Sequence, residues 1–208
     1  MSPLHTLGFL LGASFASGLN LYATVAALGL LQRYGVIQLP ASLDILAHPV
    51  VMGAAITLYV VEFVADKIPY VDNVWDVIHT FIRPPAAGVL AYAALAGVPD
   101  HWRVTAALLA GSVALTSHST KASTRAAANA SPEPVSNWVL SLTEDGVAVF
   151  LTWLATTHPV LTFFLVLVLV LLSVVLVVKL FGFLRRLIRR IFGREPAASP
   201  QGSPATRG

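Results

Sequence analysis

The sequence predicts an all-α polytopic membrane protein with about six transmembrane helices. Of the 208 residues, 56% are hydrophobic and only 11% are charged, whereas about 25% of the residues in a soluble domain are charged. The apolar residues also gather into long stretches, and a membrane helix needs roughly 20 residues. This composition argues against a soluble enzyme. The absence of cysteine excludes disulfides, thiolate nucleophiles and cysteine-ligated metals.

The first predicted membrane helix covers residues 5–31. Small residues lie on nearly every face of this helix between Gly12 and Gly18, and such residues let helix backbones approach closely. We therefore expect this helix at the centre of the bundle, with Asn20 and Tyr22 near its middle.

The later elements follow from the apolar stretches and from the prolines that separate them. Their predicted bounds are 49–66, 86–98, 102–130, 131–156 and 159–178. The segment 70–83 is amphipathic, and we expect it to be a re-entrant or interfacial helix. The 13 residues after Pro84–Pro85 are too few to span alone. They either extend back through the proline pair as a kinked helix or form a re-entrant hairpin with 70–83.

The character of the chain changes after residue 182. The transmembrane helical domain is predicted at 1–182, a basic amphipathic interfacial helix at 183–194, and a disordered tail at 195–208. Residues 179–208 carry seven Lys/Arg and one acid, whereas 1–178 carry six Lys/Arg and nine acids. We therefore expect contact with membrane lipids rather than with nucleic acid. The arginines expected on anionic lipid are Arg185, Arg186, Arg189 and Arg190.

A first group of ionisable residues begins in the predicted helix 49–66. Glu62 and Asp66 share one helical face, and Glu62 lies within the apolar run Ile56–Val64. Ionisable residues at membrane depth are costly and generally functional. A stripe at helical spacing follows, formed by Asp72, Asp76, His79 and Arg83. The alternative for this stripe is the wetted face of an interfacial helix, with ion pairs inside the helix.

A second group consists of His118, Lys121 and Arg125, on a helix with no large apolar residue between Leu115 and Val135. A helix of this kind should be enclosed by protein or line a polar cavity. Three convergent basic groups suit a phosphate or another anion. Alternatively, the two charged side chains reach the cytoplasmic surface and only determine topology.

A third group lies about twelve residues into the helix 131–156. It contains Glu144 and Asp145, with Asn137 on the same face as the aspartate. Two adjacent acids near mid-bilayer need partners, water or protons. The alternative is a purely structural salt bridge to Lys121 or Arg125.

Several motifs resemble an uncharacterised family of bacterial integral membrane proteins that is catalogued only as a domain of unknown function. The resemblance covers about residues 5–165, so the sixth helix and the tail lie largely outside it. It implies a location in the bacterial inner membrane and supplies no activity, substrate or cofactor. The matching motifs are Ser17–Tyr22, Glu62–Pro69, Asp72, Trp75–Asp76, His79–Thr80, Ile82–Pro84, Lys121–Arg125 and Ser131–Asn137.

The leading functional hypothesis is a small transporter or channel-like protein, assembled as a homo-oligomer, rather than an enzyme. It carries an anionic or phosphate-bearing substrate coupled to protons or cations. The Lys/Arg distribution predicts that the chain crosses the membrane several times with both termini cytoplasmic. The substrate-binding residues are predicted to be Asn20, His118, Lys121, Arg125 and Asn137, and the coupling residues Glu62, Asp66, Glu144 and Asp145.

Two alternatives remain open at this point. One is a membrane-embedded metal-dependent enzyme that acts on a lipid head group. No cofactor is expected except, for this alternative, a divalent cation on Asp72, Asp76 and His79. The other is a non-catalytic membrane scaffold that uses the basic C-terminal helix.

Overall fold

The computed structural model of the chain describes residues 2–68, 70–129 and 134–192. Within these ranges the regular structure is entirely helical, which confirms the all-α prediction. The α-helices are α1 (Pro3–Leu19), α2 (Leu21–Arg33), α3 (Pro49–Ala65), α4 (Val71–Thr80), α5 (Arg83–Ala94), α6 (Asp100–Asn129), α7 (Pro134–Thr157) and α8 (Pro159–Phe192). A short 3₁₀-helix, Ala41–Ala47, precedes α3.

The first predicted helix is in fact two helices. The backbone leaves the helical conformation at Asn20 (φ −148°, ψ 103°), which ends α1 and begins α2. The Asn20 side chain accepts a hydrogen bond from the Ala23 N–H at 2.9 Å, as an N-cap does. The expected central position is confirmed for α1, which contacts α5, α6, α7 and α8 and is buried from Gly8 to Leu19.

The prolines after the predicted segment 70–83 start a new helix. Arg83 is the first residue of α5 rather than the last of α4, and Pro84 and Pro85 follow in its first turn. Proline is well tolerated there because the first N–H groups of a helix have no intrahelical partner. The helix therefore extends back through the proline pair only as far as Arg83, and Phe81 and Ile82 separate it from α4. The new helix packs along α6.

Two helices of the described chain are long and apolar enough to span a membrane. They are Val135–Thr157 within α7 and Pro159–Arg186 within α8, with mean hydropathies of 1.3 and 3.3. The 3₁₀-helix and α3, bent by 61° relative to each other, form a third candidate span. The described chain thus offers two or three candidate spans, and the six predicted spans are not confirmed. Of the other helices, α1, α2 and α5 have only 17, 13 and 12 residues.

The last helix runs through the predicted boundary at residue 183 without a break and continues to Phe192. The segment 183–194 is therefore helical as far as the structure describes it, and it belongs to α8. Residues 193–194, the tail predicted at 195–208 and the helix start predicted at Ser131–Pro132 lie outside the described residues.

Candidate functional site

Ionisable side chains from the C-terminal end of α3 and from α5, α6 and α7 meet in the interior of the bundle. We call this group the ionic cluster. Salt bridges join all of its members, and the most accessible of them, Glu144, is only 9% exposed. The members are Glu62, Asp66, Arg83, Lys121, Arg125 and Glu144. Arg125 Nη1 also lies 3.8 Å from Asp72 Oδ2 on α4, at the edge of the cluster.

Arg83 joins the cluster to the end of α1. Its Nη2 donates to Glu62 Oε1 at 2.5 Å, and its Nη1 donates to the Gly18 carbonyl at 2.8 Å. The last carbonyls of a helix receive no hydrogen bond from an N–H of the same helix. The break at Asn20 makes the Gly18 carbonyl one of these free acceptors. A cation at a helix C-terminus is also favourable for the helix dipole. The helix break thus supplies part of the arginine's coordination.

The contacts of His118 define its tautomer. Arg83 Nη1 lies 2.9 Å from His118 Nδ1, and because arginine can only donate, this ring nitrogen accepts. The proton is therefore on Nε2, which lies 3.0 Å from the Asp76 backbone carbonyl and 2.9 Å from Thr80 Oγ1. His118 is consequently a neutral imidazole, held between α4 and α5, and it does not present a positive charge.

The two charged residues predicted to bind an anion are paired with acids. Lys121 Nζ lies 3.1 Å from Glu62 Oε1 and 2.7 Å from Asp66 Oδ2. Arg125 donates to Glu144 Oε2 through Nε at 3.1 Å and through Nη2 at 2.5 Å. It also donates to the Asp66 carbonyl at 2.7 Å. Both cations are at most 1% exposed, so the alternative that they reach the cytoplasmic surface is wrong.

Polar side chains extend the cluster on two sides. Asn129 Nδ2 donates to Asp72 Oδ1 and Oδ2 at 3.0 and 2.9 Å, and Asn137 Nδ2 donates to Asn129 Oδ1 at 2.7 Å. On the other side, Asn20 Nδ2 donates to Asp145 Oδ1 at 2.8 Å. Of the two predicted substrate-binding asparagines, Asn20 therefore contacts a carboxylate directly. Asn137 contacts the amide of Asn129, which in turn contacts the carboxylate of Asp72.

Carboxylates outnumber cations among the buried described residues. The buried cations are Arg83, Lys121 and Arg125, and the buried acids are Glu62, Asp66, Asp72, Asp76, Glu144 and Asp145. Four buried carboxylate oxygens have no hydrogen-bond partner: Glu62 Oε2, Asp66 Oδ1, Asp76 Oδ1 and Asp76 Oδ2. Burial of an unpaired ionised carboxylate is costly, so the interior favours protons on part of this set.

The stripe on α4 is buried, and the predicted wetted face is wrong. Asp72, Asp76 and His79 are at most 2% exposed. In α4, which lies outside the candidate spans, burial raises the pKa of Asp76 to about 6 against the opposing effect of nearby cations. Burial also lowers the pKa of His79.

The three residues predicted to bind a metal do not form a ligand set. His79 Nδ1 donates to the Trp75 carbonyl at 2.8 Å, and its Nε2 lies 3.1 Å from the Tyr22 hydroxyl. Asp72 is held by Asn129. In the part of the chain that the structure describes, no group of three His, Cys, Asp or Glu residues is arranged to hold a metal ion.

The structure thus brings together the acids predicted on helices 49–66 and 131–156 with the bases predicted on helix 102–130. Glu144 does pair with Arg125, as the structural alternative for the third group expected. Arg83 is the cation for which the sequence assigned no role. Its signal was its place in the stripe, but the spacing could not show that a new helix begins there and turns the side chain toward Glu62.

A cavity in the described part of the chain reaches the cluster. It lies between α1, α6, α7 and α8, has a volume of about 280 Å³, and is lined by Glu144 together with three hydroxyl side chains and apolar residues. The hydroxyls belong to Thr120, Thr143 and Ser173. Glu144 is therefore the cluster residue through which this space meets the buried charges.

Fold and site together define an all-helical protein with candidate membrane spans and an enclosed ionic cluster. The chain belongs to the family described as Domain of unknown function (DUF4126), whose model matches residues 7–179. This confirms the resemblance seen in the motifs and corrects its extent, because the match continues past residue 165 through most of α8. No curated protein and no solved structure matches the chain.

Proposed function

We propose that the chain is a small integral-membrane carrier in which buried carboxylates couple the movement of an anion to protons. The observation that supports this proposal is the imbalance of the interior, with six buried acids against three buried cations among the described residues. Buried ion pairs seldom add net stability over apolar packing, and unpaired buried charge is strongly destabilising. A purely structural network would have no use for the excess acids, whereas a proton-coupled carrier requires groups that take up and release protons.

The broken helix supports the same class of function. Carriers often bind ions where a helix is interrupted, because the interruption leaves backbone groups free to bind. Here the interruption at Asn20 lies beside the acids, since its side chain donates to Asp145 and the Gly18 carbonyl accepts from Arg83. The interruption therefore adjoins the charges that coupling would use.

The ion pairs suggest how protons and an anion would be coupled. Arg125 is engaged by Glu144 through two of its nitrogens, and a phosphate would have to displace this carboxylate. Protonation of Glu144 would remove its negative charge and weaken the pair. Arg125, with Lys121 beside it, would then become available to an anion. Proton uptake and anion binding would favour each other, as proton-coupled transport requires.

We further infer a multi-pass placement in the bacterial inner membrane, with both termini cytoplasmic and with assembly as a homo-oligomer. The two apolar helices and the Lys/Arg distribution support the placement. Arg185, Arg186 and Arg189 are exposed at the end of α8, where they could contact anionic lipid. The side chain of Arg190 lies outside the described set.

The proposal can be tested in liposomes that contain the full chain and an internal pH-sensitive dye. Inorganic phosphate added outside should acidify the lumen faster than in empty vesicles. Glu144→Gln should abolish this acidification, and Asp100→Asn should retain it because the Asp100 side chain is 79% exposed. Size-exclusion chromatography would verify that both variants are folded. Acidification no faster than in empty vesicles, with folded wild-type protein, would refute the proposal.

A further inference from the structure

Asp76 differs from every other buried acid in the described chain. It lies on α4, is 2% exposed, and neither of its carboxylate oxygens has a hydrogen-bond partner. The other buried acids have at least one donor on a carboxylate oxygen: a cation of the ionic cluster for Glu62, Asp66 and Glu144, an amide for Asp72 and Asp145. Asp76 alone among them lacks a direct partner.

Charged and titratable groups face Asp76 from each helix that packs against α4. These are Asp66 at the end of α3, Arg83 on α5, and Lys121 and Arg125 on α6, with His118 on the Asp76 backbone carbonyl and His79 on α4 itself. The three cations are close enough to act on the Asp76 carboxyl electrostatically. Each of them is nevertheless hydrogen-bonded to a carboxylate other than Asp76.

We propose that Asp76 is a proton-binding site of this protein, a carboxyl beside the ionic cluster whose burial without donors favours the uptake of a proton. A buried carboxylate without donors is strongly destabilised relative to its protonated form. The placement on α4 therefore favours the acid form. That Asp76 exchanges the coupling proton rests on the proposed function, whereas its preference for the acid form follows from its burial without donors.

Loss of this proton would reach the rest of the cluster. An ionised Asp76 adds a negative charge that competes with Glu62 for Arg83 and Lys121. Those two cations would then be shared among more carboxylates, and the pairs that join α3 to α5 and α6 would weaken. The raised pKa of Asp76, about 6, puts this change near neutral pH. Proton binding at Asp76 would thus alter the ion pairs that the proposed carrier must break.

Infrared difference spectroscopy on the full chain in liposomes tests this assignment directly. Between about pH 4 and about pH 9, a protonated-carboxyl C=O band should disappear with a midpoint near the pKa of Asp76. Asp76→Asn should lack this band, and the matched exposed variant Asp100→Asn should keep it. Asp76→Glu, which keeps the carboxyl, should show the band at a shifted frequency, and it serves if the asparagine variant does not fold.

The outcomes separate this inference from the proposed function. A band that is unchanged in both Asp76 variants, or one that is absent from the wild type at about pH 5, would overturn the assignment whether or not phosphate acidifies the vesicles. A band that is lost in Asp76→Asn would support the assignment even if no vesicle flux were found, and the carrier proposal alone would then fail.

Discussion

Helices α6 and α8 are the two longest in the described chain, with 30 and 34 residues. They differ in the burial of their cations. On α6 the cations Lys121 and Arg125 are at most 1% exposed. On α8 the arginines Arg185, Arg186 and Arg189 are exposed, and so are large apolar side chains such as Leu171, at 65%.

The difference teaches that neighbouring helices, rather than composition alone, decide where a charge lies. Helix α6 contacts α1, α4, α5, α7 and α8, whereas α8 contacts α1, α6 and α7. A helix of Ala, Ser and Thr that is enclosed in this way can hold cations against acids from other helices. A helix of Leu, Val and Phe with an open face is suited to hydrocarbon. Both helices expose large apolar side chains, such as Leu108 and Leu171, and they differ in that Lys121 and Arg125 are buried on α6 whereas the arginines of α8 are exposed.

The largest expected difference in unfolding free energy is between two variants that each lose one cation, Arg125 on α6 or Arg189 on α8. Arg125→Met leaves Glu144 without its main partner and Asp66 with one fewer donor. Breaking a buried pair in this way costs about 3–5 kcal/mol. Arg189→Met removes an exposed cation and should change stability by less than about 0.5 kcal/mol. The measurement is the free energy of unfolding in detergent micelles. Equal losses of unfolding free energy in the two variants would contradict the expectation that the buried cation of α6 contributes more to stability than the exposed cation of α8.

The residues of the ionic cluster could largely be predicted from the sequence, because an acid or base inside an apolar or small-residue stretch is conspicuous. Glu62, Lys121 and Glu144 were found in that way. The pairing of Glu144 with Arg125 is one of the sequence alternatives, but the pairs of Arg83 and Lys121 with Glu62 could not be predicted, since they depend on how α3, α5 and α6 pack. The break at Asn20 had a signal, because asparagine is a favoured N-cap, but the apolar residues on both sides made one long helix the simpler prediction.

The continuity of α8 was missed for a related reason. The change from apolar to arginine-rich sequence near Gly182 suggested a new element, although arginine is a good helix former and composition alone does not end a helix. The six predicted spans are not confirmed, because several apolar stretches, including α1 and α5, are shorter as helices than a single membrane span requires. The length of a helix is determined by where its N-cap and C-cap form.

A second prediction concerns pH. The pKa of Asp76 rises from 3.8 in an unperturbed chain to about 6 in the fold, so the folded state holds this proton longer than the unfolded state. The stability contributed by Asp76 is complete below pH about 4 and falls as the pH rises through about 6, by up to about 3 kcal/mol. The difference in unfolding free energy between the wild type and Asp76→Asn, measured across this range, should change by that amount.

The exposed cations of α8 provide the control for this pH profile. Arg189→Met should run parallel to the wild type from about pH 4 to about pH 7, because arginine does not titrate there. If the difference between the wild type and Asp76→Asn stayed constant with pH, Asp76 would have the same pKa folded and unfolded. Its burial on α4 would then not favour the protonated form.

The smallest expected effect comes from replacing glycine by alanine at two positions, Gly18 of α1, which packs against α6, and Gly182 of α8. A Cβ at Gly18 would overlap Ser117 Oγ and the Ala114 carbonyl on α6. The backbone cannot move aside cheaply, so Gly18→Ala should destabilise the fold by about 1–3 kcal/mol. Gly182 has open space around its Cβ position, and Gly182→Ala should stabilise α8 by about 0.5–1 kcal/mol.

The sign of the two glycine substitutions, measured as free energies of unfolding under identical conditions, tests whether α1 and α6 approach as closely as described. Gly18→Ala should also lower phosphate-driven acidification in vesicles, because the Gly18 carbonyl binds Arg83 at 2.8 Å and a shift of α1 would disturb that bond. A Gly18→Ala variant as stable as Gly182→Ala would mean that the helices have room to separate. The enclosure that keeps the cations of α6 away from lipid would then be looser than that of a packed core.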